Sequence, residues 1–181
     1  MRRSGTLALA LVCGALLFDG APDPRAVEMQ PVSAGAPAAA FGEDEIVVAL
    51  RRVNSSLTER QLRRIAAAVI KYSAKYRLDP ELVTAVMRVE STARPWARSS
   101  RGAVGLMQVM PHMAQPAEFA GNLTTVESNV EAGCMILADN IRRLGEDDGI
   151  SAYFWGSEIR GGSYLQRVRA ARASMQRPTE S

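Results

Sequence analysis

The chain of 181 residues has one histidine and two cysteines, and these shortages exclude several chemistries before any motif is considered. With His112 as the only histidine, a Ser-His-Asp triad or a Cys-His pair has no support beyond that residue, and a multi-histidine metal site is ruled out. Cys13 falls in a segment that reads as a removable leader. Cys134 is then the sole thiol of the processed chain, and no intramolecular disulfide is expected even though export would permit one. It lies on an apolar helical face, which suits a small buried residue better than a nucleophile. Net charge is small as well. The 22 basic and 19 acidic side chains leave a formal +3, too mild to indicate nucleic acid. Such a charge is ordinary for a surface and would also suit weak attraction to an anionic cell-wall polymer. No motif calls for a metal or an organic cofactor.

Long hydrophobic runs are missing too. Basic Met1-Arg2-Arg3 precedes an apolar stretch from Thr6 to Phe18, the pattern of a signal peptide over residues 1–20. The stretch is short of the ~20 residues that a spanning helix needs, so the mature protein is expected to be exported to the periplasm or cell envelope without a stable membrane span. No clean Ala-x-Ala site marks the cleavage point. Ala10 and Val12 are poor neighbours for a lipidated Cys13.

A Pro/Ala-rich stretch, residues 21–43, reads as a flexible linker; residues 44–175 read as a single domain and 176–181 as a polar tail. Asp44–Val53 keeps helical spacing, although its β-branched residues leave a strand reading open. Ser56 with Glu59 and Thr58 with Gln61 both have capping-box spacing, and the stripe Leu62, Ile65, Ala66, Val69, Ile70, Ser73, Tyr76 predicts a core-facing helix. A short helix is expected within Met113–Ala120. Ser128 with Glu131 predicts the cap of a further helix, whose stripe Val130, Cys134, Leu137, Ile141, Leu144 ends at Gly145. Glu146-Asp147-Asp148 reads as a surface turn, Ser163 as the cap of a last helix carrying Tyr164, Leu165 and Val168, and the chain turns polar from about Arg172.

The best catalytic candidate is Glu90. Asp79-Pro80 supplies an N-cap and a proline at the first helical position, so a helix should run from Pro80 to about Glu90. Counting from Val83 reaches Val86, Met87 and Glu90, which puts the carboxyl on the apolar stripe. Desolvation there disfavours the charged form and raises the pKa, as a proton donor near neutral pH requires. A buried Glu paired with Arg88 or Arg94 is the competing reading.

After Glu90-Ser91 come Pro95, Ala97 and Ser99, then Gly102-Ala103-Val104-Gly105-Leu106-Met107-Gln108-Val109-Met110-Pro111. In this register the chain resembles the SLT-type (soluble) lytic transglycosylases, relatives of goose-type lysozyme that cleave peptidoglycan glycan strands. Asn129-x-x-x-Gly133 is similar to the helix packed behind that family's cleft. Ala152-Tyr153-Phe154-Trp155-Gly156 aligns with its Ala-Tyr-Asn-Ala-Gly segment, and the resemblance covers roughly Leu62 to Val168. Phe154 departs from the usual Asn and takes away one polar sugar contact, unless Phe154 and Trp155 stack on sugars or pack inward. Arg160 stands where the family has a Glu ahead of its late tyrosine, here Tyr164, and Met113 where it has a Thr.

The resemblance implies a mainly α, lysozyme-like domain with a substrate cleft between the Glu90 helix end and the Tyr153 segment. It implies that Glu90 protonates the bond between N-acetylmuramic acid and N-acetylglucosamine, then takes the proton of the muramyl C6 hydroxyl, giving a 1,6-anhydro product. The tyrosine hydroxyl that hydrogen-bonds the carboxyl is expected to be that of Tyr153, and Ser91, Met107, Gln108 and Phe154 are expected to hold substrate. No second carboxylate stands out, since Glu118, Glu127, Glu131 and Asp139 read as surface or capping residues. A hydrolytic muramidase and a non-catalytic glycan-binding or assembly protein remain as alternatives. A partner among secretion, conjugation or pilus machines is in keeping with the short chain.

Overall fold

Residue Glu81 and everything up to Met87 is buried, and this apolar stretch forms the centre of the fold. A computed structural model describes residues 41–114 and 122–176. The expected signal segment, most of the linker, the part of the Met113–Ala120 helix beyond Ala114 and the tail beyond Gln176 lie outside the described residues. Within them the chain forms α1 (Glu43–Val53), α2 (Glu59–Tyr76), α3 (Pro80–Ser91), a 3-10 turn (Pro111–Ala114), α4 (Val126–Leu144), α5 (Glu146–Trp155) and α6 (Ser163–Gln176). The architecture is mainly α, as expected, with only isolated bridges pairing Arg98 with Val104 and Val104 with Val109. No helix among the described residues is long and apolar enough to cross a membrane.

Local signals account for most helix starts. Asp79 accepts a hydrogen bond from the Glu81 amide ahead of Pro80, so α3 begins as its cap predicts. The strand reading of Asp44–Val53 is lost to a helix that buries Ile46, Val47, Ala49 and Leu50 along one face. Of the two candidate boxes before α2, Thr58–Gln61 forms, while Ser56 turns to the Asn54 side chain. Before α4 the predicted box at Ser128 and Glu131 is replaced by Thr125, whose hydroxyl accepts from the Ser128 amide and starts the helix earlier. Glu131 instead pairs with Lys75 on α2.

One further expectation is corrected beyond Gly145. The acidic triplet Glu146-Asp147-Asp148 is the first turn of α5 rather than a surface turn, because carboxylates are favourable at the positive end of a helix dipole. Helix α6 runs on to Gln176, through the polar stretch that begins at Arg172. That arginine ties α6 to the start of α3 and to α5 through Asp79, Glu81 and Glu146. Helix α3 packs against α1, α2 and α6, while α4 packs against α2 and α5. The α4–α5 approach is close enough that a methyl group on Gly149 would lie 2.5 Å from the Ile141 backbone. This arrangement carries the C-terminal end of α3, with Glu90, to the junction of α5 and α6.

Candidate active site

Glu90 is the penultimate residue of α3 and half-buried. Burial pushes its carboxyl above the ordinary range, partly offset by a hydrogen bond from Tyr164 and by the positive charge of Arg167. The Tyr164 hydroxyl donates to Glu90 Oε1 at 2.5 Å. Neither arginine of the competing reading pairs with the carboxyl: Arg88 Nη1 donates to Ala171 O and Ser174 Oγ, and Arg94 Nε donates to Ser91 O. Glu90 therefore keeps a raised pKa without an ion-pair partner among the described residues, the condition for a proton donor near neutral pH.

The expected hydrogen bond between Tyr153 and Glu90 is a correction. Tyr153 lies close enough that the Glu90 charge, after burial, helps push its phenol well above 10. Its hydroxyl, however, donates to Met107 O at 2.8 Å. The carboxyl is served by Tyr164, which is fully buried on α6. Tyr164 is the family's late tyrosine, a position that the resemblance does not assign to the site. Its spacing with Val168 on one helical face, which buries both, was the available signal.

The loop from Thr92 to Met110 folds back over the end of α3, and buried polar contacts hold it against local backbone strain. Thr92, Ala93 and Gln108 have φ of 54°, 55° and 47°, left-handed values that a β-branched Thr rarely adopts. Asn54 Nδ2 secures the first pair by donating to Ala93 O. Asn129 on α4 secures the second half: its side chain accepts from Met107 N at 2.8 Å and donates to Val104 O and Leu123 O. Gly105, at φ +78°, has to be glycine here, since a Cβ would lie 2.4 Å from Asn129 Nδ2. Gly133 leaves room in the same way for the Met107 side chain.

This packing turns two expected substrate contacts inward. Ser91 is 1% exposed, and its hydroxyl donates to Leu106 O at 2.7 Å, clamping helix to loop. Met107 is fully buried, with its amide and carbonyl both committed to Asn129 and Tyr153. Both residues position the loop and offer no free group to a ligand. Gln108 is half-buried; its amide donates to Ala97 O and Gly105 O, which leaves the side-chain oxygen without a partner among the described residues. Phe154 is 48% exposed and stacks on Tyr164, with ring centres 5.0 Å apart, so it faces the site rather than the core. Trp155 meets Phe154 edge-on at 4.9 Å.

The rival acids are committed elsewhere. Glu127 pairs with Arg64, Glu131 with Lys75, and Asp139 with Arg142 and Arg143, while Glu118 lies outside the described residues. Cys134 is buried, which pushes its thiol far up and leaves it inert. His112 sits exposed in the 3-10 turn.

Comparison with known proteins matches residues 67–167 to the transglycosylase SLT domain. The transglycosylase of Enterobacteria phage PRD1 is 37% identical over 86 residues, covering 47% of this chain and 32% of that protein. The membrane-bound lytic murein transglycosylase C of Actinobacillus pleuropneumoniae is 31% identical over 107 residues, covering 54% of this chain and 29% of that protein. The matched region thus spans 32% and 29% of the length of these relatives. Among solved structures, the 70-kDa soluble lytic transglycosylase from Escherichia coli superposes with a TM-score of 0.48 at 20% identity, over 74% of this chain and 25% of that one.

Proposed function

The chain belongs to the transglycosylase SLT family, and on that premise we propose that it is a lytic transglycosylase cleaving peptidoglycan between N-acetylmuramic acid and N-acetylglucosamine, with Glu90 as the sole acid/base. The observation that carries the reading is the Glu90 carboxyl itself: half-buried, raised by desolvation, without an ion pair among the described residues and oriented by the Tyr164 hydroxyl. Glu90 gives its proton to the glycosidic oxygen as that bond to C1 breaks, and N-acetylglucosamine leaves with a hydroxyl. The resulting carboxylate takes the proton of the muramyl C6 hydroxyl while that oxygen closes on C1. The proton returns to Glu90, and no water is consumed. A two-carboxylate route would need a second acid, and among the described residues Glu127, Glu131 and Asp139 are each paired with a basic side chain. Positioned acid/base help contributes about 10² to 10⁴ in rate, so binding must also hold the C6 hydroxyl near C1. Gln108, through its free side-chain oxygen, and the exposed Phe154 ring are the groups we assign to that holding. Met1–Phe18 and the membrane-bound relative support an envelope location.

Digestion of purified peptidoglycan followed by mass analysis tests the proposal. Products should carry the anhydro mass, one water lighter than hydrolysis products; water-added muropeptides would make the protein a muramidase, and no products at all would favour a glycan-binding role. A second expectation concerns Tyr164. Tyr164→Phe removes only a hydroxyl, so the chain should stay folded, but the carboxylate loses the bond that stabilises its charge. A hydrogen bond to a charged group contributes about 1.5 to 3 kcal/mol, so turnover should fall roughly tenfold or more, and the pH at which activity is lost should move upward. Wild-type rates and pH profile would reduce Tyr164 to a packing residue.

A further inference from the structure

Phe154 stands where the family pattern has a polar residue, and its surroundings show what it does instead. It lies nearly parallel to Tyr164, with an interplanar angle of 15° and ring centres 5.0 Å apart. Arg167, three residues after Tyr164 and so on the same face of α6, places its guanidinium 5.5 Å from the Tyr164 ring centre and 5.7 Å from that of Phe154. It forms no ion pair among the described residues, whereas Arg169 and Arg172 on the same helix pair with Asp147 and with Asp79, Glu81 and Glu146. A long exposed arginine would ordinarily sample many rotamers, and the faces of two stacked rings favour one of them.

We propose that Arg167 is a positioning residue that sets the protonation of Glu90, and that Phe154 holds it in place. The inference rests on the transglycosylase reading for its meaning in turnover, but the charge relation itself does not. Groups facing Glu90 are Tyr164 and Arg167 from α6 and Tyr153 from α5. On its own helix Arg88 turns to Ala171 and Ser174, and from the loop Arg94 is held on Ser91. Tyr153 and Tyr164 are neutral in the working range because both phenols are pushed up, first by burial. Among the described residues Arg167 is thus the permanent charge that acts on the carboxyl, and it opposes the desolvation that raises Glu90. Burial favours the protonated carboxyl that the first step needs, and the cation favours the carboxylate left by that step.

The test is a carboxyl NMR titration of Glu90, run beside the pH profile of kcat/KM for muropeptide release, in wild type, Arg167→Ala, Arg167→Lys and Phe154→Leu. Because the acid must be protonated to act, activity declines as pH rises past the Glu90 pKa. Arg167→Ala should move the titration midpoint and the alkaline limb upward. Arg167→Lys should return both toward wild type by restoring charge, and Phe154→Leu, which frees the arginine without removing it, should shift them part of the way. An unmoved midpoint in folded Arg167→Ala would overturn the proposal, as would an upward shift in Arg167→Lys equal to that of Arg167→Ala. Should the wild-type protein release no muropeptides, the transglycosylase reading fails, while the NMR titration still decides the role of Arg167.

Discussion

Glu90→Gln is expected to abolish glycan cleavage while leaving the chain folded, and above the acidic range the variant should be more stable than wild type. The amide keeps the size of the side chain and can still accept the Tyr164 hydrogen bond, but it has no proton to give; loss of positioned acid/base help alone costs about 10² to 10⁴ in rate. The stability effect has a definite sign. Burial raises the folded-state pKa of Glu90 above its ordinary 4.5, so the folded chain holds this proton at pH values where the unfolded chain has released it. Stability contributed here is complete below the unfolded value and falls as pH rises through the folded pKa. Glutamine, uncharged throughout, does not suffer that loss. Muropeptide release and melting temperature, each measured at acidic and neutral pH, check both halves. Unchanged release would end the mechanism, and a variant equally or less stable at neutral pH would mean that the carboxylate is well solvated in the folded chain.

The second large effect is structural and centres on Asn129, which is 1% exposed and holds both sides of the glycine loop. Asn129→Ala would leave Met107 N, Val104 O and Leu123 O without their side-chain partner. An unsatisfied buried group costs about 1 to 3 kcal/mol, so a loss of roughly 2 to 5 kcal/mol is expected, a large share of the ~5 to 15 kcal/mol that holds most domains folded. Gly105→Ala attacks the same joint from the other side, forcing a Cβ into the amide at a left-handed backbone position. Because the clash partner of that Cβ is Asn129 itself, the double variant should lose less than the sum of the singles. Chemical denaturation of the four proteins measures this coupling. A loss in Asn129→Ala within about 0.5 kcal/mol of zero, the range of an ordinary surface change, would show that water replaces the amide easily.

Much of the helical framework was legible because its signals are local. The Asp79-Pro80 start of α3, the Thr58–Gln61 box and the buried stripes of α2 and α4 depend on neighbours three or four residues away. Where two local signals competed, at Ser56 against Thr58, spacing could not choose, because each hydroxyl offers similar bonds and the packing of the first turn decides; before α4 the box spacing of Ser128 and Glu131 pointed one turn too late, and Thr125 caps the helix instead. The acidic triplet misled for a related reason: carboxylates suit an exposed turn and a helix N-terminus equally well until the elements on either side are placed.

By itself the sequence determined that Glu90 sits at the end of an apolar helix followed by a glycine-bearing loop, because helical periodicity puts its carboxyl on the stripe of Val83, Val86 and Met87 whatever the rest of the chain does. Only the tertiary structure decided which side chains meet that carboxyl. Tyr164, 74 residues away, reaches Glu90 because α6 packs against α3, while Tyr153 on α5 is drawn to the Met107 carbonyl. Ser91 and Met107 turned inward for the same cause: folding the loop over the helix end buries their polar groups, and buried polar groups must find partners, so they were used to fasten the loop and were lost to the ligand.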